Sequence, residues 1–205
     1  MLPHGVVGGV PTERLTLPGG RDVRASLDSD TEADAVVVAC PPHPQHGGSR
    51  HDSRLTAVSD ALPDRIGCLR FDYGPWDEGR GERTDAERAC AWAADRYDRV
   101  ALFGYSFGGG VALHTASEVD IDAVAALSPV ARLDDGTDVA AAVSHLNAPL
   151  WVGYGTRDDT VDAEAVAEAA RENGGTVTTF TADHFFVGQE ANVGERAAAF
   201  VERVL

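Results

Sequence analysis

Gly104-Tyr-Ser-Phe-Gly108 constrains this chain more than any other stretch. It follows the apolar run Arg99-Val-Ala-Leu-Phe103 and precedes a helical segment over 107–117. A serine in an ordinary loop needs no glycines around it. A serine on a very tight strand-to-helix turn does, because residues two positions to either side must lack bulk for the chain to reverse. Such a turn holds the Ser106 backbone in a strained region and lifts its hydroxyl above the carboxyl edge of the strands. The next N–H, that of Phe107, opens the helix and points into the same space.

The turn requires a sheet behind it, and the rest of the chain supplies one. Ala35–Cys40, Ile66–Phe71, Val100–Phe103, Ala123–Leu127 and Leu150–Tyr154 are short, nearly continuous apolar runs, the pattern of strands buried on both faces. Thr176–Thr181 is more polar and reads as a half-buried edge strand. Helical segments alternate with these runs. Thr84-Asp-Ala-Glu87 has the form of a capping box opening a helix with Ala86, Ala89, Cys90, Ala93 and Tyr97 on one stripe. Asp162–Asn173 runs to a stop at Gly174-Gly175, and Val193–Leu205 is amphipathic. Strands alternating with helices predict a mostly parallel sheet covered on both faces. Arg14–Leu17 and Val23–Leu27, flanking Pro18-Gly19-Gly20, predict an antiparallel hairpin in front of it. The stretch from Ser128 to Ala148 is too short for a large independent cap, so one domain over 1–205 is expected.

Composition narrows the partners. The net charge is −16, and all 17 basic residues are arginine. This excess of carboxylates argues against nucleic acid and anionic membranes. It fits an acidic soluble protein, or more sharply one adapted to high salt, where carboxylate repulsion is screened. Cys40, Cys68 and Cys90 form no C-x-x-C and lie in strand-like or helical runs, which suits a reducing, cytoplasmic setting without disulfides. The first 17 residues lack the basic-then-apolar layout of a secretory leader. His43, His46, His51 and Asp52 are close together, but their spacing matches no zinc pattern, and neither metal nor cofactor is expected.

A hydroxyl is a poor nucleophile until a base takes its proton and an acid orients the base. In chains built around such an elbow, the acid and then the base follow it. Three histidines follow Ser106. His114 sits within the next helix and would point away. His145 precedes the strand at Leu150 and belongs at the wrong end of it. His184, in Ala182-Asp-His-Phe-Phe186, follows the last strand, where a loop can return it to Ser106. Asp158 and Asp159, in Gly155-Thr-Arg-Asp-Asp-Thr-Val161, are candidate acids directly after a strand, although an Asp there can equally cap the following helix. Of the tryptophans, Trp151 and Trp92 read as core, and Trp76 is the one placed near a pocket.

The segments GYSFGG, GTRDDTV and ADHFF, in this order, resemble the α/β-hydrolase superfamily over nearly the whole chain. Cys40-Pro-Pro-His-Pro-Gln-His-Gly-Gly48 is similar to the His-Pro-His-Pro-x-x-Gly-Gly signature of small, lidless hydrolases related to dienelactone hydrolases, with Pro41 in place of the first His. Leu69-Arg-Phe-Asp-Tyr-Gly-Pro-Trp-Asp-Glu-Gly79 is similar to the loop after their fourth strand, but shorter and without its Ser.

The resemblance implies an α/β-hydrolase fold and a Ser106–Asp158–His184 triad, with Gly104 and Gly108 as elbow glycines. Gly155-x-x-Asp158 matches the acid's spacing in similar hydrolases, leaving Asp159 to start the helix. Asp134 or Asp135 would serve if the acid followed the sixth strand instead. The resemblance also implies that the loop after the third strand supplies half of an oxyanion hole. Pro42 and Pro44 have no N–H, so the donor there is His43, partnered by Phe107. The expected activity is cleavage of a small carboxylic ester or thioester through an acyl-enzyme on Ser106. A peptidase or acyltransferase on the same residues, or a binding module on a hydrolase scaffold, are the alternatives.

Overall fold

The computed structural model describes residues 11–205, so most of the stretch read for a secretory leader, residues 1–10, lies outside the described residues. Eight strands form one sheet: β1 (Thr12–Leu17), β2 (Val23–Asp28), β3 (Ala35–Cys40), β4 (Ile66–Phe71), β5 (Arg99–Tyr105), β6 (Ala123–Leu127), β7 (Leu150–Gly155) and β8 (Thr176–Phe180). Their order is β1-β2-β4-β3-β5-β6-β7-β8. The hairpin β1–β2 is antiparallel and joins β4 antiparallel, while all pairs from β4 to β8 are parallel. The expected hairpin, strands and β8 edge are all present.

Six α-helices among the described residues cover the sheet: α1 (Ser53–Ala61), α2 (Arg80–Ala94), α3 (Phe107–Glu118), α4 (Val139–Val143), α5 (Ala163–Glu172) and α6 (Glu190–Val204). The alternation of side chains along a strand divides the core in two. Val36, Val38 and Cys40 of β3, with Val100 and Leu102 of β5, face a layer built from α2, α3, α4 and α5. Ala35, Val37 and Ala39, with Ala101, Phe103 and Tyr105, face α1 and α6. These strands are apolar on both faces because both faces are buried, which is why their sequence runs are continuous rather than alternating. No helix among the described residues is long and apolar enough to cross a membrane.

The helix ends depart from the sequence reading in three places. Helix α2 begins at Arg80, before the expected box at Thr84. The carboxylate of Glu82, fully buried, accepts the N–H groups of Asp77 at 3.0 Å and Gly79 at 2.8 Å, so the first turn forms upstream. Thr84 is left inside the helix, its hydroxyl donating to the Arg80 carbonyl at 3.2 Å. Helix α5 is capped by Asp162, which accepts the Ala165 N–H at 3.3 Å, and not by Asp159. Helix α6 starts at Glu190, before the expected Val193.

Helix α1 went unread in the sequence. Asp52 caps it by accepting the Arg54 N–H at 2.9 Å, and Leu55 and Val58 point into the core. It ends at Leu62, whose extended backbone is the usual consequence of a following proline, here Pro63.

Candidate active site

Strand β5 ends at Tyr105 and α3 begins at Phe107, so Ser106 alone makes the turn. Its backbone sits at φ 58°, ψ −120°, a conformation that L side chains rarely adopt. Three backbone bonds hold it there. The Ser106 N–H donates to Leu127 O at 2.9 Å, and the Ser106 carbonyl accepts from Gly110 at 3.2 Å and Val130 at 3.3 Å. The flanking glycines are needed for close approach. A Cβ on Gly104 would lie 2.0 Å from Gly108 O, and one on Gly108 would lie 2.2 Å from Cys40 O and 2.3 Å from Pro41 O. The second contact shows how closely the start of α3 approaches the loop leaving β3.

His184 lies in the loop between β8 and α6, buried, with Nε2 3.0 Å from Ser106 Oγ and Nδ1 2.8 Å from Asp158 Oδ2. Asp158 follows β7 in a turn it ties itself: Oδ1 accepts the N–H groups of Thr160 at 3.0 Å and Val161 at 3.2 Å, leaving Oδ2 for the imidazole. A carboxylate can only accept here, so His184 carries its proton on Nδ1, and Nε2 presents a lone pair to the serine hydroxyl. The His184 loop is pinned from both sides. The Tyr105 hydroxyl donates to the His184 carbonyl at 3.0 Å, and Phe186, at φ 52°, is fully buried against Phe180 and Tyr105. Burial pushes the Tyr105 phenol up to about 12, so it stays a donor at neutral pH.

The other candidates separate cleanly. Asp159 has no side-chain partner among the described residues. Asp135 accepts from Arg83 at 2.6 Å and from the Thr137 N–H at 3.0 Å, remote from His184. Asp134 lies 3.1 Å from Nε2 of a different histidine, His43. His114 stands against Arg83 at 3.2 Å, and His145 lines a small hollow with residues of the α3–β6 connection, away from the elbow.

His43 immediately precedes a short 3₁₀ turn, Pro44–His46, and its ring lies 4.9 Å from that of Phe107. Neither the His43 N–H nor the Phe107 N–H donates to a protein acceptor among the described residues. Trp76 does not line the cavity. It packs behind it, 4.5 Å from the His43 ring and 5.7 Å from Phe107.

A cavity of about 670 Å³ opens over Ser106, His184, His43 and Phe107. Val130, Val161 and Phe185 give it apolar lining, from the loops after β6, β7 and β8. Asp52 and Arg54 at the start of α1 add a polar stretch that the sequence reading missed. The two are paired at 2.6 Å, with the Arg54 guanidinium 4.4 Å over the Tyr105 ring. Burial raises the Asp52 carboxyl above its ordinary range against the pull of Arg54. The one signal for them in the sequence is Asp52-Ser53 ahead of Leu55 and Val58, the pattern of a helix start.

The model of the dienelactone hydrolase family matches residues 77–204, more than half of the chain. The chain belongs to this family. Among solved structures, this family member is similar to a lidless α/β serine hydrolase from Xanthomonas campestris, at 24% identity over 95% of each chain with a TM-score of 0.78. It is similar to the dienelactone hydrolase from Anabaena variabilis at 20% identity, over 97% of this chain and 100% of that one, with a TM-score of 0.76. It is also similar to Est1E from Butyrivibrio proteoclasticus at 19% identity, over 93% and 98%, with a TM-score of 0.81. Comparison with curated protein sequences gives no match. The fold is therefore the α/β-hydrolase fold without a lid, and the chain is an α/β hydrolase of the dienelactone hydrolase family.

Proposed function

We propose that this family member is a single-domain serine hydrolase that cleaves a small carboxylic ester or thioester through an acyl-enzyme on Ser106. The observation that carries this reading is the continuous chain Ser106 Oγ–His184–Asp158, with 3.0 Å and 2.8 Å steps and the proton forced onto Nδ1. Nε2 of His184 takes the hydroxyl proton as Oγ bonds to the carbonyl carbon. The N–H groups of Phe107 and His43 receive the oxygen that gains the negative charge, and one such donor is worth about 10²–10³ in kcat. The imidazolium passes its proton to the departing alcohol or thiol as the carbon–oxygen or carbon–sulfur bond breaks. Water then enters, loses a proton to His184 and releases the acid and free Ser106. Asp158 fixes the tautomer throughout. Each proton taken is returned, so the cycle calls for no metal and no redox cofactor.

The mouth of the cavity supports a small or medium substrate entering without a gate. The names of Est1E and of the esterase from Pyrococcus furiosus, similar in fold at 19% identity, support an ester as the electrophile. The test is a fluorophosphonate, which phosphonylates an activated serine. It is expected to label Ser106 and no other serine, and Ser106→Ala is expected to remove the label and ester turnover together. Folded protein that stays unlabelled, or labelling that survives Ser106→Ala, would refute the proposal.

A further inference from the structure

We infer that Asp134 is a positioning residue for the oxyanion loop, acting through the ring of His43; this rests on the function proposed above. Asp134 stands in the loop after β6, far along the chain from His43, yet its carboxylate has His43 as its one hydrogen-bond partner among the described residues, with Oδ2 3.1 Å from Nε2. The adjacent Asp135 does something else, tying Arg83 and the Thr137 turn.

The chemistry of the ring assigns the proton. The Gln45 N–H donates to His43 Nδ1 at 3.2 Å, and a backbone N–H can only donate, so Nδ1 is bare. The remaining ring proton is on Nε2, which donates to Asp134. The ring is thus hydrogen-bonded at both nitrogens, and its faces lie against His46 at 4.5 Å, Trp76 at 4.5 Å and Phe107 at 4.9 Å.

This anchoring matters because His43 offers its backbone N–H to the oxyanion. Pro42 before it and Pro44 after it donate nothing, so no neighbouring N–H can take over if His43 turns. A ring held at both nitrogens limits rotation of the residue and with it the aim of the N–H. Without the carboxylate, a partly buried Nε2–H loses its acceptor and that constraint goes. Displacement of a donor by a fraction of an ångström weakens charge stabilisation in the transition state more than it weakens ground-state binding.

The experiment compares Asp134→Ala and Asp134→Asn in the whole chain. The readouts are kcat and KM on p-nitrophenyl acetate, the Ki of a trifluoromethyl ketone, and the melting temperature. Asp134→Ala is expected to lower kcat about 10-fold, a fraction of the loss of a whole donor. The ketone, whose adduct carries the oxyanion, is expected to weaken by the same factor, with KM and melting temperature unchanged. Asp134→Asn keeps an oxygen that accepts from Nε2–H and is expected to restore both. Unchanged kcat and ketone affinity in the alanine variant would overturn the inference. So would a loss that the asparagine variant does not rescue, or one that only follows a fall in melting temperature.

A nitrogen-15 spectrum of the histidine rings reads the anchor without turnover, and is expected to show His43 with a bare Nδ1 and a protonated Nε2 that shifts in Asp134→Ala. The opposite tautomer would overturn the anchor itself. If the spectrum is as expected but wild-type protein fails to react with fluorophosphonate, the proposed function has failed and the positioning role falls with it.

Discussion

Two histidines line one cavity, each paired with an aspartate behind it, and the two pairs are built in opposite ways. His184 meets Asp158 through Nδ1 at 2.8 Å, with side chains 5% and 2% exposed. His43 meets Asp134 through Nε2 at 3.1 Å, with side chains 16% and 50% exposed. In the first pair the carboxylate claims the Nδ1 proton and leaves Nε2 free to accept. In the second a backbone N–H occupies Nδ1, so the proton goes to Nε2 and the ring has no lone pair to offer. The same two residue types therefore give an imidazole that presents Nε2 to a hydroxyl in one place and one that donates from Nε2 to a carboxylate in the other. What decides is what meets Nδ1, a carboxylate in the first pair and a backbone N–H in the second, and how far water is kept from the pair.

The comparison can be broken most decisively at Asp158. Asp158→Asn keeps an oxygen for the Thr160 and Val161 N–H groups but loses the negative charge that fixes the tautomer. It is expected to lower kcat about 10⁴-fold while the protein still folds, because the Ser–His–Asp arrangement of serine proteases loses about that much when the carboxylate becomes an amide. Ester hydrolysis beside a thermal melt checks this, and an active Asp158→Asn would remove the distinction between the two pairs.

Next in size is the contact that brings the pairs together. Gly108→Ala places a Cβ against the carbonyls of Cys40 and Pro41, neither of which can move without shifting β3. The expected cost is at the upper end of the roughly 1–3 kcal/mol that overpacking brings, seen as a lower melting temperature with activity lost in parallel. Wild-type stability in that variant would mean that α3 and the His43 loop are not held as described.

Salt sharpens the comparison at a smaller scale. With a net charge of −16, the fold is expected to melt higher in about 2 M KCl than in about 0.1 M, because the screening length falls from roughly 10 Å to below roughly 3 Å. A flat melting temperature would remove the reading of salt adaptation and leave the enzyme reading intact. The smallest effect separates the carboxylates after β7. Asp162→Ala, losing the α5 cap, is expected to cost about 1 kcal/mol with kcat unchanged, and Asp159→Asn to change neither stability nor kcat. Calorimetry and ester kinetics on the two variants check it.

Much of this was legible in the chain. The strands were readable because burial on both faces leaves continuous apolar runs, and the elbow because only glycine tolerates the approach of Gly108 to Cys40 and Pro41. Helix ends were less so. The motif at Thr84 was genuine in form, but the upstream Glu82 satisfied the N–H groups of Asp77 and Gly79 and started α2 earlier. Helix α1, and with it Arg54 and Asp52 in the cavity, was obscured by its short length and mixed composition.

By itself, the sequence determined what depends on near neighbours: the strand runs, the hairpin, the turn at Ser106, and a short set of histidines and carboxylates able to serve it. The tertiary structure alone decided which of them meet. β3 lies beside β5 in the sheet, which puts His43 next to Phe107, and the loops after β7 and β8 converge on Ser106 from the other side. The spacing after Gly155 marks Asp158 for His184 only through its likeness to similar hydrolases, and nothing in the sequence marks Asp134 for His43. Strand order and loop path set those distances, and a periodicity of two or 3.6 residues carries no information about either.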